Sequence, residues 1–152
     1  MRDAGLTVGA ARRWTLGCAL AALVLSGARL AIPIVRVDGA TAPVTALQHV
    51  PAALAAQPVF NDYGFGGYLI WRGVRSFIDG RSDMYGDAFT QAYLRAEQPD
   101  PAALDALLQR WKVAWTMLAA NDPVVGVMDR KPGWRRLYAD RYAVVHVRDG
   151  AL

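Results

Sequence analysis

The sequence predicts an α/β protein in which one N-terminal transmembrane helix precedes a small mixed β-sheet covered by roughly three or four helices. Two observations lead to this fold class. An apolar segment of 22 residues covers positions 14–35, with Arg29 as its one charged residue. After Pro58, short apolar runs alternate with segments of helical periodicity. We expect about five short strands, the last two forming a C-terminal hairpin.

Composition limits the classes of protein that the chain can belong to. Of its 152 residues, 54% are hydrophobic and 20% are charged, which fits one folded domain and excludes a disordered polymer. The net charge is +4, of which +3 lies in residues 1–50, outside the predicted sheet domain. A nucleic-acid footprint would lie on the folded domain, so no nucleic-acid partner is expected. Cys18 is the single cysteine, which excludes an internal disulfide and a cysteine-based zinc site.

The apolar segment 14–35 is long enough to be a transmembrane helix. About 20 residues cross the hydrocarbon core, and Arg29 near one end can reach the headgroups. Three arginines precede the segment: Arg2, Arg12 and Arg13. By the positive-inside rule they hold residues 1–13 in the cytoplasm. We therefore expect a single-pass protein of the inner (cytoplasmic) membrane, in contact with membrane lipid, whose C-terminal domain is extracytoplasmic.

A cleaved signal peptide is the alternative interpretation of the same segment, because a basic stretch before an apolar core is also typical of secretory signals. Small-residue cleavage sites occur at 26–28 and 40–42, the first followed directly by Arg29 and the second far beyond the apolar core. Under this alternative the chain is a secreted soluble binding or scaffold protein. The apolar residues after Arg29 distinguish the two, since only a spanning helix needs them.

The remainder divides into an Ala/Pro-rich connection at 36–57 and an α/β domain at 58–152. Strands are predicted at 59–60, 76–78, 113–119, 134–138 and 142–147. Helices are predicted at 63–71, 87–97, 100–111 and from 122 to about 130. The helix after Asp100 is the clearest, because Asp100 is a good N-cap and Pro101 suits the first helical position.

Polar residues follow three of the predicted strands: Asn61 and Asp62, Asp79 and Arg81, and Asn121 and Asp122. The carboxyl ends of parallel strands converge on the edge where open α/β proteins bind ligands. We expect a substrate-binding edge formed by Asp62, Tyr63, Asp79 and Arg81. The alternative is that these residues cap helices and close turns, with a purely structural ion pair between Asp62 and Arg81.

Other motifs are weaker. The GFGG run at 64–67 departs from the dinucleotide-binding pattern, so we expect its glycines to allow close packing or a backbone bend. Asp79, Asp83 and Asp87 are spaced by four, but glycines interrupt the helix that would align them, and no metal site is predicted.

His146 can titrate near neutral pH. No nucleophile with a matching base is present in the motifs, so neither a catalytic residue nor a cofactor is predicted.

Four runs at this spacing carry a family resemblance: PVFNDYGFGGYLIW, FIDGRSDMYG, LLQRWKVAWTMLA and GWRRLYADRYAVVHVR. Residues 44–149, with the preceding apolar helix, resemble the C-terminal extracytoplasmic domain of bacterial polytopic membrane proteins of the C-type glycosyltransferase superfamily, which includes oligosaccharyltransferase-like and mannosyltransferase-like proteins. The resemblance implies a polyprenyl-phosphate sugar as ligand and other transmembrane subunits as partners. In that superfamily the catalytic carboxylate lies in a loop between transmembrane helices. With one such helix, the chain is expected to be a truncated version that is not active alone.

A looser similarity concerns the Trp-Trp-Asp-Tyr-Gly motif with which oligosaccharyltransferases engage their acceptor. Asp62, Tyr63 and Gly64 match its last three residues, whereas Phe60 and Asn61 replace the two tryptophans. At the predicted polar edge we expect Asp62 to accept a hydrogen bond from a sugar or acceptor hydroxyl. We expect the Arg81 guanidinium to orient Asp62 or to contact a phosphate, because its planar fork suits bidentate contact with either.

Overall fold

The structure, a computed structural model, describes residues 8–33 and 35–152. The chain divides into two compact units, Met1–Val35 and Arg36–Leu152. Part of the predicted cytoplasmic N-terminus, residues 1–7 with Arg2, lies outside the described residues, as does Ile34 of the predicted membrane span.

Helix α1 (Val8–Ala31) belongs to the first unit. Its segment Gly9–Ala31 has a mean hydropathy of 1.5 and is wholly exposed, so the helix is long and apolar enough to cross a membrane, as signal sequences near an N-terminus also are. A 24-residue helix is about 36 Å long, against a hydrocarbon core of about 30 Å. The predicted span is 14–35, whereas the helix begins earlier, at Val8, and ends earlier, at Ala31. It ends there because Pro33 disfavours a helical conformation at Ile32.

The second unit is built on a four-stranded mixed sheet with the order β1-β2-β4-β3. Its strands are β1 (Val59–Asn61), β2 (Trp115–Ala119), β3 (Trp134–Ala139) and β4 (Ala143–Arg148). β1 runs parallel to β2, whereas β4 is antiparallel to both β2 and β3, with a register shift in β3 between Arg136 and Tyr138. The α/β class and the C-terminal hairpin are confirmed, with four strands where about five were expected.

The helices of this unit are α2 (Val44–Gln48), α3 (Ala52–Ala55), α4 (Gly66–Trp71), α5 (Asp87–Ala96), α6 (Pro101–Arg110) and α7 (Pro123–Met128). Two 3₁₀ turns lie at Tyr63–Phe65 and Ser82–Met84. The start of α6 follows the expected chemistry, since the Asp100 carboxylate accepts the backbone N–H groups of Ala102 and Ala103 at 3.0 and 3.2 Å.

Hydrophobic side chains cover both faces of the sheet. One core cluster contains Trp115, Met117 and Val145, together with buried residues of α2 and α3. The other contains Phe60 and Leu118, together with the buried faces of α5, α6 and α7. Alternate residues of each strand point to opposite faces, so the sheet needs apolar cover on both sides.

Residues 36–57, predicted as a connection, belong to the folded unit. Ala46, Val50 and Leu54 are buried in the first core cluster. Their spacing of four is a helical period, but Pro51 divides the segment into two short helices and weakens the helical pattern.

The strand predicted at 76–78 is wrong, because this segment is irregular. The N–H of Phe77 donates to Asn61 Oδ1 at 2.7 Å, and the carbonyl of Ile78 accepts from Asn61 Nδ2 at 3.0 Å. The buried amide of Asn61 satisfies backbone groups that a neighbouring strand would otherwise pair. The apolar residues here are therefore buried without forming a strand.

Candidate functional site

Three carboxylates meet at the carboxyl ends of the two parallel strands. Asp62 directly follows β1, and Asp122 lies just beyond the end of β2. Glu97 joins them from the residue after α5. One oxygen of each group lies within 4.8 Å of the others, and all three residues are half-buried. We call Asp62, Glu97 and Asp122 the carboxylate edge.

Local hydrogen bonds position each member of the carboxylate edge. Asp62 Oδ1 accepts the N–H of Gly64 at 2.7 Å and so begins the 3₁₀ turn. Asp122 Oδ1 accepts the N–H of Val124 at 2.9 Å and begins α7. Glu97 accepts the hydroxyl of the buried Tyr93, one helical turn earlier. The two aspartates therefore have a capping role whether or not a ligand binds.

The environment of the carboxylate edge disfavours three negative charges. Burial raises the pKa of Asp62, Glu97 and Asp122 from their ordinary values. Repulsion from Asp62 further raises the pKa of both Glu97 and Asp122. The edge is therefore suited to groups that reduce its charge, such as a hydroxyl that donates a hydrogen bond or a hard cation. These three oxygens are the candidate ligands if a divalent cation binds here.

Tyr63 lies in the 3₁₀ turn directly after Asp62 and is 41% exposed. An exposed aromatic side chain beside hydrogen-bond acceptors is a common arrangement for binding a ligand that has both apolar and hydroxyl surface. Phe60 and Asn61, which stand at the tryptophan positions of the motif discussed above, are fully buried. Of this run, Tyr63 therefore offers the accessible aromatic surface.

Asp79 and Arg81 form a second polar cluster. The carboxylate of Asp79 is nearly inaccessible and accepts two hydrogen bonds from the Arg81 guanidinium, through Nε and Nη2, both at 2.8 Å. It also accepts the Tyr85 hydroxyl at 2.6 Å. The Arg81 hydrogen bonds hold the pKa of Asp79 well below its usual range. Asp79 is therefore a positioning residue for Arg81, whose side chain is 58% exposed.

The structure pairs the predicted site residues differently from the expectation. The ion-pair partner of Arg81 is Asp79, so Arg81 does not orient Asp62. Asp62 and Asp122 do converge, as the parallel-strand argument required. Glu97 was not predicted, because the only sequence signal for it is its place one helical turn after Tyr93, which is weak.

A close backbone approach joins the turn that carries Asp62 to the segment that carries Asp79. A Cβ atom at Gly66 would lie 2.1 Å from the carbonyl oxygen of Ile78 and 2.7 Å from the Cα of Asp79. Gly67, by contrast, has open space at the same position. The interpretation of the GFGG run as a packing device is confirmed at Gly66.

His146 belongs to a separate buried network. Its Nε2 lies 2.9 Å from Asp129 Oδ1 and its Nδ1 lies 3.2 Å from the Thr116 hydroxyl. Burial lowers the pKa of His146, and hydrogen bonds from Arg136 lower the pKa of Asp129 to about 2. The imidazole is therefore neutral at pH 7 and links two strands to the loop after α7.

A cavity of about 630 Å³ lies between α5 and α6 and shares no residue with the carboxylate edge. Its walls are mainly alanine and aromatic side chains, with two arginines. The lining residues are Tyr85, Ala88, Phe89, Ala92, Arg95, Ala103, Ala106, Leu107, Arg110 and Trp111. Sequence patterns did not indicate this cavity, because its small alanines are also common helix formers.

Comparison of the chain with protein-family models, with curated proteins and with solved structures finds no match.

Proposed function

We propose that the chain is a membrane-anchored extracytoplasmic domain that binds the sugar part of a polyprenyl-phosphate sugar, or its acceptor, and assists a C-type glycosyltransferase-like protein. On this proposal α1 is the membrane anchor, and the catalytic carboxylate is supplied by another transmembrane subunit. Support comes from the resemblance of residues 44–149 and from the length and apolar character of α1.

The convergence of Asp62, Glu97 and Asp122 is the observation that carries this proposal. Sugars present several neighbouring hydroxyl donors, and the three carboxylates present several acceptors whose charges repel one another. A hydroxyl that donates to one of them lessens this repulsion, so binding a polyhydroxyl ligand offsets part of the cost of burying the charges. Tyr63 supplies the apolar surface on which a sugar ring can pack.

Arg81 fits the phosphate of such a ligand. Its Nε and Nη2 are held by Asp79, which orients the guanidinium plane, and the side chain is largely in solvent. A fixed, exposed guanidinium suits a phosphate oxygen because it loses little side-chain entropy on binding. Substrate contact is therefore assigned to Asp62, Tyr63, Glu97 and Arg81, and positioning of Arg81 to Asp79.

The test is titration of the full chain, held in lipid nanodiscs, with a short-chain prenyl-phosphate mannose, measured by isothermal calorimetry. Asp62→Asn and Glu97→Gln keep an acceptor for the local hydrogen bonds but remove the charge. Each is expected to weaken binding about fivefold, because a hydrogen bond to a neutral amide oxygen contributes about 1 kcal/mol less than one to a carboxylate. Asp83→Asn is the matched control, since Asp83 is an exposed carboxylate outside the edge.

Two outcomes would contradict the proposal that these carboxylates bind the ligand. One is equal binding by the wild type and both variants. The other is a lower thermal midpoint in the variants with an unchanged ligand response, which would make these carboxylates structural.

The second candidate function is a secreted soluble binding protein, and the position of α1 near the N-terminus favours it. Intact mass and cell fractionation separate the two in a bacterial host. A full-length chain in the membrane fraction, with residues after 36 open to external protease, supports the anchored domain. A shortened chain free in the periplasm supports the secreted protein.

A further inference from the structure

Trp71, at the end of α4, has two guanidinium groups close to its ring on the surface of the domain. The Cζ atoms of Arg36 and Arg72 are 6.0 and 5.6 Å from the Trp71 ring centroid. Trp71 is 52% exposed and the neighbouring Ile70 is 42% exposed. We call Arg36, Ile70, Trp71 and Arg72 the Trp71 patch.

The positive charge of the Trp71 patch is not neutralised by a nearby ion pair. The ion pairs among the residues that the structure describes involve neither Arg36 nor Arg72. Asp38, close to Arg36 in sequence, is engaged by Thr45, whose backbone N–H donates to it at 2.8 Å. A cavity of about 260 Å³ adjoins Trp71 and Arg36. The patch therefore combines free cationic groups, an exposed indole and an exposed aliphatic side chain.

We infer that the Trp71 patch docks on the surface of a bilayer containing anionic phospholipid. Tryptophan is enriched at the level of the headgroups, where one side of the ring meets apolar chains and the other meets water. Arginine near the surface is attracted to anionic headgroups. The inference rests on the proposed function in one respect, the anchoring of α1.

The chain order favours a lipid surface over other anionic partners. Arg36 follows Ala31, the last residue of α1, after only four residues. When α1 spans a bilayer, a short tether therefore holds Arg36 close to the headgroups, which raises their effective concentration. A free phosphate ion has no such advantage and makes no use of the exposed side chains of Ile70 and Trp71.

The test measures quenching of Trp71 by brominated phosphatidylcholine in vesicles that hold the full chain, with and without phosphatidylglycerol. Subtraction of the Trp71→Phe spectrum isolates the Trp71 signal. We expect stronger quenching with phosphatidylglycerol, and weaker quenching as salt rises. Each arginine contributes about fivefold to the ratio of docked to undocked domain, so Arg36→Gln with Arg72→Gln lowers this ratio about 30-fold.

Trp111 and Arg110 provide a matched control. The Arg110 Cζ lies 5.9 Å from the Trp111 ring, and Trp111 is 45% exposed. Quenching of Trp71 is expected to be the same in Arg110→Gln as in the wild type, and Trp111 is expected to be quenched little. Ile70→Ser is a second variant that keeps the fluorophore and the charges. It lowers quenching by removing aliphatic contact, and circular dichroism checks that each variant is folded.

Several results would overturn the inference while leaving the anchor intact. The first is that Trp71 is not quenched, and the second is that its quenching does not change with phosphatidylglycerol or with either arginine substitution. The third is that Trp111 is quenched as strongly as Trp71. The fourth is that inorganic phosphate, added at constant ionic strength, abolishes the quenching of Trp71. If the chain is instead shortened and soluble, the anchored function fails separately. Sedimentation of the released domain with phosphatidylglycerol vesicles then decides the inference, which requires binding that depends on Arg36 and Arg72.

Discussion

Substitution of Gly66 by alanine is expected to be among the more damaging changes in the domain, although it adds a single methyl group. The new Cβ would lie 2.1 Å from the carbonyl oxygen of Ile78, where ordinary contact begins near 3.4 Å. The obstructing atoms are two backbone atoms and the Asp79 Cβ, which is fixed by the backbone, so none of them can rotate away. The carbonyl is also fixed by its hydrogen bond from Asn61.

The magnitude follows from these contacts. Overpacking that shifts the backbone costs about 1–3 kcal/mol, and loss of the Asn61 hydrogen bond adds about 1 kcal/mol. We expect Gly66→Ala to lower the free energy of unfolding by about 2–4 kcal/mol. Gly67→Ala is the matched control, because a Cβ there meets nothing within 4 Å and alanine favours the helix by about 0.5–1 kcal/mol.

Urea unfolding of the full chain in lipid nanodiscs, followed by tryptophan fluorescence, measures both variants. The reasoning requires opposite signs, with Gly66→Ala less stable and Gly67→Ala equal to or more stable than the wild type. Equal destabilisation by the two would mean that the run needs glycine for backbone freedom. Two neutral variants would show that the turn after Asp62 does not pack on the segment before Asp79.

Three further predictions concern titratable groups. Glu97→Gln is expected to stabilise the domain by about 2 kcal/mol at pH 7, because it removes two like-charge pairs, with Asp62 and Asp122, that each cost about 1 kcal/mol near 4.8 Å in water. This advantage is lost below pH 4.5, where the raised pKa of Glu97 leaves the wild type protonated too, and thermal midpoints across this range measure it. Burial lowers the pKa of His146, so as pH falls the unfolded protein binds a proton on this residue before the folded protein does. The free energy of unfolding should therefore fall as pH drops below 6.5, and chemical denaturation of His146→Gln should lack this pH dependence. Asp79→Asn is expected to lower the free energy of unfolding by about 1–2 kcal/mol above pH 4, near the lower end because Arg81 is exposed. Because the pKa of Asp79 is depressed, the wild-type advantage disappears as pH falls through the acid range. Paired urea titrations would contradict this if the difference persisted at low pH.

Sequence patterns predicted the elements whose signals are local. Asp100 and Pro101 mark the start of α6, and the apolar run before Ala119 contains the buried β2. The predicted hairpin strand at 142–147 matches β4 to within one residue at each end, and the neighbouring residues Val144 and Val145 of β4 lie in opposite core clusters. In each case the signal lies within one helical turn or one strand, so no tertiary contact was needed to recognise it.

The features that were missed depend on contacts between distant segments. The Asn61 side chain replaces a strand partner for residues 77–78, which no periodicity reveals. Glu97 reaches the carboxylate edge only because α5 packs on the sheet. The parallel-strand argument brought Asp62 and Asp122 together, but it could not show that the ion-pair partner of Arg81 is Asp79 and not Asp62.

The two edges of the sheet limit how the domain can assemble with other chains. β1 is only three residues long and wholly buried, while the outer strand β3 presents Arg135 and Arg136 beside a register shift. Short, covered, charged or irregular edges resist the addition of a further strand. Addition of a strand from another chain is therefore disfavoured at both edges, and the domain is protected against edge-to-edge aggregation.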